Sequence, residues 1–77
     1  MEKTKINLPN WFTGQVYESG GTVSNFFTGE SIELSAEELS MYDLIMGCQV
    51  TRHYKLMQKG LDWFRRANPE AYMVLLD

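Results

Sequence analysis

Short β-prone runs alternate with turn-forming residues in the first half of the chain, and this pattern predicts a small antiparallel sheet. Residues 15–18 and 22–25 flank a Ser-Gly-Gly turn, as in a β-hairpin. Polar and apolar side chains alternate in residues 31–34, so Ile32 and Leu34 are expected to face the core. The prediction is an antiparallel β-meander made of a hairpin plus a third strand.

A complete signal for the start of a helix follows the third predicted strand. Ser35 can accept a hydrogen bond from the backbone of Glu38, and the Glu38 carboxylate can reach back to the N–H of Ser35. Leu34 can pack on Leu39 one turn into the helix. This capping box with its hydrophobic staple predicts a long helix that begins immediately after Ser35.

Apolar residues recur at spacings of three and four after Ser35, as they do on one face of a helix. This stripe comprises Leu39, Tyr42, Met46, Val50, His53 and Met57. Other apolar residues extend around the first half of the helix, at Met41, Leu44, Ile45 and Cys48. Such a helix is expected to be buried on more than one face, by the strands, by the C-terminal segment or by a second subunit.

Because of two glycines, the sequence does not decide where this helix ends. Gly47 lies within the apolar pattern and favours a close approach of another backbone, with a break as the alternative. Gly60 either ends the helix as a C-cap glycine or lies within a helix that continues past it. Asn68 and Pro69 are typical of a second helix start, so residues 71–76 are predicted to form a short C-terminal helix.

Length and composition predict one domain of ordinary type. Of the 77 residues, we expect 1–13 to form an N-terminal arm and 14–77 a single α+β domain. A single cysteine excludes an internal disulfide, and no apolar run reaches the roughly 20 residues of a membrane span. These features predict a soluble protein of a reducing cytoplasm. A chain this short buries only about 60% of its unfolded surface, which leaves a homo-oligomer open.

The net charge of −3 conceals two segments of opposite sign. Six acids and no Lys or Arg lie between Glu18 and Asp43, whereas five bases and one acid lie between Leu44 and Arg66. Acids favour the N-terminus of a helix and bases its C-terminus, which explains part of this pattern. The alternative explanation is a charged binding surface.

Groups capable of catalysis are few. His53 and Cys48 are the sole histidine and the sole cysteine, and on one helix they lie about 140° apart, so they cannot form a dyad unless the helix breaks between them. His53 is expected to be a hydrogen-bonded core residue and Cys48 a small buried hydrophobe. Metal-ligand spacings and phosphate-binding glycine patterns are absent from the sequence. We predict a non-enzymatic protein that uses no cofactor and no metal.

Four segments carry a family resemblance: Asn25-Phe26-Phe27-Thr28-Gly29-Glu30, Tyr42-Asp43, Gly60-Leu61-Asp62-Trp63-Phe64 and Asn68-Pro69-Glu70-Ala71-Tyr72. Together they resemble small, uncharacterised proteins of tailed bacteriophages, especially phages of marine bacteria. The resemblance covers residues 14–77 and departs at Phe26, where a proline would be expected. It implies no activity and no site residue. It does imply an accessory protein made inside an infected cell, which either modulates a host protein or serves a virion structure.

The leading functional hypothesis is protein binding, because aromatic residues are plentiful and catalytic groups are few. Trp11 and Phe12 either pin the N-terminal arm across the core or serve as exposed anchors for a partner. The candidate contact residues are Trp11, Phe12, Phe26, Phe27, Met41, Leu44, Ile45 and Trp63. The partner is expected to be another protein or a second copy of the chain, and a membrane is not expected.

A basic helical face supports nucleic-acid binding as the alternative. If the helix continues past Gly60, one side of it carries Arg52, Lys55, Lys59 and Arg66, with Trp63 at its edge. Bases beside an aromatic ring can follow a phosphate backbone and stack a nucleobase. On an acidic domain, such a ridge is also compatible with a solvated helix face.

Overall fold

The computed structural model describes residues 8–76, in which a two-stranded antiparallel sheet is followed by three helices. The strands are β1 (Gly21–Ser24) and β2 (Ser31–Leu34), and the helices are α1 (Ala36–Thr51), α2 (Tyr54–Ala67) and α3 (Pro69–Leu75). The predicted α+β class is confirmed. Residues 1–7 of the predicted N-terminal arm lie outside the described residues.

The sheet is a single hairpin, in which Gly21 pairs with Leu34 and Val23 with Ile32. Leu34 is buried and Ile32 is half-buried, as the alternation predicted. The strand predicted at residues 15–18 does not form, so the sheet is smaller than the predicted meander. The backbone N–H of Tyr17 instead donates to Oγ of Ser40 in α1 at 2.9 Å, which holds this segment against the helix.

The glycine predicted to form the first hairpin turn has a different role. A Cβ at Gly20 would overlap the carbonyl oxygen of Leu34, so this position lies directly against the end of β2. Only glycine permits such a close approach of two backbones. The hairpin loop is therefore formed by residues 25–30, between β1 and β2.

The capping hydrogen bonds are present at both predicted helix starts, so both predictions are confirmed. The N–H of Glu38 donates to Oγ of Ser35 at 3.2 Å, and the N–H of Ser35 donates to Oε1 of Glu38 at 2.9 Å. At α3, Oδ1 of Asn68 accepts from the N–H of Ala71 at 3.1 Å, and Pro69 is the first helical residue. These caps satisfy N–H groups that have no partner within the helix.

The long helix breaks at Arg52 and not at either glycine. Arg52 has a left-handed backbone with φ of 65°, and the N–H of His53 donates to the carbonyl of Cys48 at 3.0 Å. This is the bond of a Schellman cap, in which a glycine usually takes the left-handed position. Because an arginine takes it here, no local signal in the sequence indicates the end of α1.

The break corrects two expectations about the second half of the predicted stripe. Val50 is 83% exposed, so it does not face the core. His53 is exposed, with its Nδ1 2.7 Å from Oγ1 of Thr51, so the predicted core histidine is wrong. Cys48 is buried, as expected.

The core lies where α1, α2, α3 and β2 meet, and it contains Leu34, Met41, Ile45, Phe64 and Ala71. Gly60 is buried in α2, where a Cβ would lie 2.8 Å from Cγ1 of Ile45. Gly47 is exposed in α1 and would meet nothing within 4 Å. The close approach predicted for Gly47 is therefore wrong, and the close contact occurs at Gly60, with the side chain of Ile45 and not with another backbone.

Candidate functional site

Two adjacent phenylalanines stand out of the loop between β1 and β2. Phe26 is 99% exposed and Phe27 is 98% exposed, which makes them the most exposed large apolar residues of the described chain. Single apolar side chains on a surface are common, but two neighbouring rings entirely in solvent form a patch with a potential binding role. We call these two residues the Phe tip.

The loop that carries the Phe tip is held by its own hydrogen bonds. Oδ1 of Asn25 accepts from the N–H of Phe27 at 2.8 Å and from the N–H of Thr28 at 3.3 Å. The N–H of Asn25 donates to the carbonyl of Glu30 at 2.7 Å, and the N–H of Gly29 donates to the carbonyl of Asn25 at 2.8 Å. Gly29 has φ of 79°, a left-handed value that glycine takes at no steric cost.

The same asparagine connects the loop to the C-terminal helix. Nδ2 of Asn25 donates to the carbonyl of Val74 at 2.8 Å, across 49 positions of sequence. The Asn25 side chain therefore both closes the turn and fastens it to α3. Sequence reasoning selected the two rings but missed Asn25; an asparagine two residues before a turn residue is the signal for such an Asx turn.

A second feature is a groove of about 460 Å³ between the N-terminal arm and α2. Pro9 and Trp11 line it from the arm, and the residues that line it from α2 are Lys59, Asp62, Trp63, Arg66 and Ala67. Asp62 and Trp63 lie three and four residues after Lys59, and Arg66 lies four and three residues after them, which places all four on one face of the helix. We call this feature the tryptophan groove, because both tryptophans of the chain line it.

Two of the three charged residues that line the tryptophan groove already contact another side chain. Nζ of Lys59 lies over the indole of Trp11, 5.7 Å from the ring centroid. Asp62, the one acid that lines the groove, forms an exposed ion pair with Arg65 at 3.2 Å. Such an exposed pair adds little to the free energy of unfolding. Arg66 is exposed and forms no ion pair with another residue of 8–76.

The structure separates the sequence candidates into three groups. Trp11, Trp63, Lys59 and Arg66 meet at the groove, whereas Arg52 and Lys55 do not line it. Phe26 and Phe27 form the exposed tip. Phe12 and Leu44 are half-buried and pack against the core, and Met41 and Ile45 are 0% exposed. Met41 and Ile45 cannot contact a partner in this fold, so those two candidates are wrong.

Catalytic groups are not brought together within the described residues. Cys48 is buried, and burial raises the pKa of its thiol, which suppresses the nucleophilic thiolate. His53 is exposed beyond the break in the helix. Across residues 8–76, no cluster of three His, Cys, Asp or Glu side chains could hold a metal ion. No helix in the same range is both long and apolar enough to cross a membrane.

Comparison with protein-family models, curated proteins and solved structures gives no significant match to this chain.

Proposed function

We propose that this protein is a non-enzymatic binding module that docks onto another protein through the Phe tip. The observation that supports the proposal is the exposure of Phe26 and Phe27, 99% and 98%, on a loop whose backbone is held by the Asn25 side chain. Apolar rings in solvent cost free energy, and their burial in a partner would recover it.

The rigidity of the loop favours binding. A loop that is ordered before binding loses little conformational freedom in the complex, so more of the contact free energy appears as affinity. Burial of one phenylalanine is worth about 1.5–3 kcal/mol, so the pair could supply about 3–6 kcal/mol in a complementary pocket. That amount is typical of the few residues that dominate a protein interface.

The charge around the Phe tip suits a partner pocket with a basic rim. The six acids between Glu18 and Asp43 include Glu30 at the end of the loop and Glu33 in β2, and this segment contains no Lys or Arg. Acidic residues are repelled by the anionic surface of a cytoplasmic membrane. A protein pocket therefore suits the tip better than a lipid surface.

The proposed setting is the cytoplasm of an infected bacterial cell. It rests on the resemblance of residues 14–77 to small proteins of tailed bacteriophages. An accessory protein that modulates a host protein needs a compact contact surface, and the Phe tip is of that kind. Nucleic-acid binding through Arg52 is not part of the proposal, because Arg52 lies at the corner between α1 and α2 and outside the tryptophan groove.

Affinity capture with the full chain tests the proposal. Wild type is expected to retain a specific bacterial protein, and the double variant Phe26→Ser/Phe27→Ser is expected to bind it about 150-fold more weakly or worse, because the loss of both anchors removes at least about 3 kcal/mol. The affinity is then measured by calorimetry with the two purified proteins.

Two further variants separate the tip from general surface effects. Val50→Ser removes another exposed apolar side chain, 83% exposed at the end of α1, and should bind as wild type does. Asn25→Ala keeps both rings but removes the bonds that order them, and it should weaken binding by a smaller factor than the double variant. Equal binding by wild type and Phe26→Ser/Phe27→Ser would reject the proposal.

Light scattering on the pure protein decides whether the partner is a second copy. A dimer that dissociates in Phe26→Ser/Phe27→Ser and persists in Val50→Ser would make the Phe tip a self-association contact. A strict monomer that retains no bacterial protein would overturn the proposed function.

A further inference from the structure

The geometry points to the tryptophan groove as a binding site for a short stretch of single-stranded nucleic acid. This site shares no residue with the Phe tip and does not depend on the proposed protein-binding function. It uses Trp11 and Trp63 as stacking surfaces and Lys59 and Arg66 as phosphate contacts.

The aromatic part of the groove comes from two distant parts of the chain. Trp11 belongs to the N-terminal arm and Trp63 to α2, and both are half-buried in the walls of a space of about 460 Å³. A site of this volume is within the range of small-ligand pockets. Stacking of a nucleobase on an aromatic side chain is worth about 1–3 kcal/mol and tolerates any base.

The cationic part lies along α2 on either side of Trp63. Lys59 and Arg66 are seven residues apart, which places them about 10 Å apart along the helix axis. A base stacked near Trp63 would thus have a cation available for the phosphate on each side of it. Nζ of Lys59 lies over the indole of Trp11, 5.7 Å from the ring centroid, so a base that stacks on this face of Trp11 would displace the ammonium group toward the adjoining phosphate.

These groups favour a nucleic-acid strand over an acidic peptide. Carboxylates of a peptide could pair with Lys59 and Arg66, but they would make no use of two indole walls. A nucleotide chain uses both features, because it alternates flat rings with phosphates. The net charge of −3 opposes the binding of a long polyanion, so the contact should be confined to about two phosphates.

Tryptophan fluorescence tests this site directly, because both tryptophans of the chain line the groove. Titration of the full chain with a short oligodeoxythymidylate at low salt is expected to give saturable quenching. For two phosphate contacts to a single strand, the logarithm of the association constant should fall with the logarithm of salt concentration with a slope of about −1.4.

A matched pair of variants separates the groove from the rest of the basic surface. Arg66→Gln should weaken binding and reduce the slope to about −0.7, because one phosphate contact is lost. Arg52→Gln removes an exposed base outside the groove and should bind as wild type does. Both positions are exposed, so neither variant is expected to unfold.

Competing ligands identify the occupant. Inorganic polyphosphate and polyglutamate of similar charge should quench weakly, since neither contains a ring to stack. Equal binding of either one, or equal binding of a free mononucleotide, would overturn the assignment to a strand. Absence of saturable quenching at low salt, or equal loss of affinity in Arg66→Gln and Arg52→Gln, would overturn the site itself.

Discussion

Oε1 of Glu38 accepts a hydrogen bond from Nδ2 of Asn68 at 3.2 Å, so the residue that completes the cap of α1 also holds the residue that caps α3. The same Oε1 accepts from the N–H of Ser35 at 2.9 Å. Oδ1 of Asn68 meanwhile accepts from the N–H of Ala71 at 3.1 Å. Glu38 and Asn68 are 30 positions apart in the sequence, and their contact joins the starts of α1 and α3.

Substitutions at Asn68 should distinguish the stability that comes from capping α3 from the stability that comes from the contact with Glu38. Asn68→Ala removes both and is expected to lower the free energy of unfolding by about 1–2 kcal/mol. Asn68→Asp keeps the cap acceptor but places a carboxylate against Glu38, so its loss should be partly reversed by salt, unlike that of Asn68→Ala. Urea unfolding at low and high salt measures both. The double variant Asn68→Asp/Glu38→Gln should recover stability, and failure to do so would contradict the pairing.

Alanine at two helical glycines should have opposite effects. At Gly60 the new Cβ would lie 2.8 Å from Cγ1 of Ile45, so Gly60→Ala should destabilise the fold by about 1–3 kcal/mol through overpacking. At Gly47 nothing lies within 4 Å, so Gly47→Ala should stabilise it by up to about 1 kcal/mol through helix propensity. Thermal unfolding of both variants checks this prediction, and each variant serves as the control for the other because the same substitution is made in both. The same sign at both sites would contradict this packing.

Glycine at position 52 should stabilise the corner between α1 and α2. Arg52 holds a left-handed backbone at φ of 65°, which costs a residue with a Cβ about 1–2 kcal/mol and costs glycine little. We expect Arg52→Gly to raise the free energy of unfolding by up to about 1 kcal/mol. Arg52→Ala removes the same charge but keeps the Cβ, so it should show no gain in chemical denaturation. Equal stability of the two variants would argue against the left-handed cap.

The thiol of Cys48 should be protected and should make the fold sensitive to alkali. Burial raises its pKa, so the unfolded chain releases this proton at lower pH than the folded chain does. The free energy of unfolding should therefore fall as pH rises above the ordinary thiol pKa of about 8.5. Cys48→Ala should lack this part of the pH dependence. The measurement is the free energy of unfolding of wild type and of Cys48→Ala at several pH values, and the difference between the two isolates the thiol. Iodoacetamide should modify native Cys48 far more slowly than urea-unfolded Cys48, and equal rates would contradict its burial.

Local signals made the helix starts and the inward face of β2 predictable. Ser35 with Glu38, and Asn68 with Pro69, each form a pattern whose partners lie within one turn, so the sequence alone indicates them. The end of α1 was missed because an arginine occupies a position that usually belongs to glycine.

The candidate sites depended on contacts that the sequence does not indicate. Trp11 and Trp63 meet across the groove, although they are far apart in the chain, so only the fold brings them together. The sequence likewise did not decide whether the two rings of the Phe tip face inward or outward, because their exposure depends on what the rest of the fold leaves uncovered. The close contact expected at Gly47 is found at Gly60, because both glycines lie in helical patterns and only the packing of the fold distinguishes them.

The bond between Asn25 and Val74 has a consequence for the order of events during synthesis. It spans 49 positions, from the hairpin loop to the next-to-last residue of α3. A ribosome makes the loop before it makes Val74, so the nascent loop lacks one of its fastenings until α3 has emerged and docked. A partner that requires the fastened loop would therefore discriminate between chains in which α3 has docked and chains in which it has not.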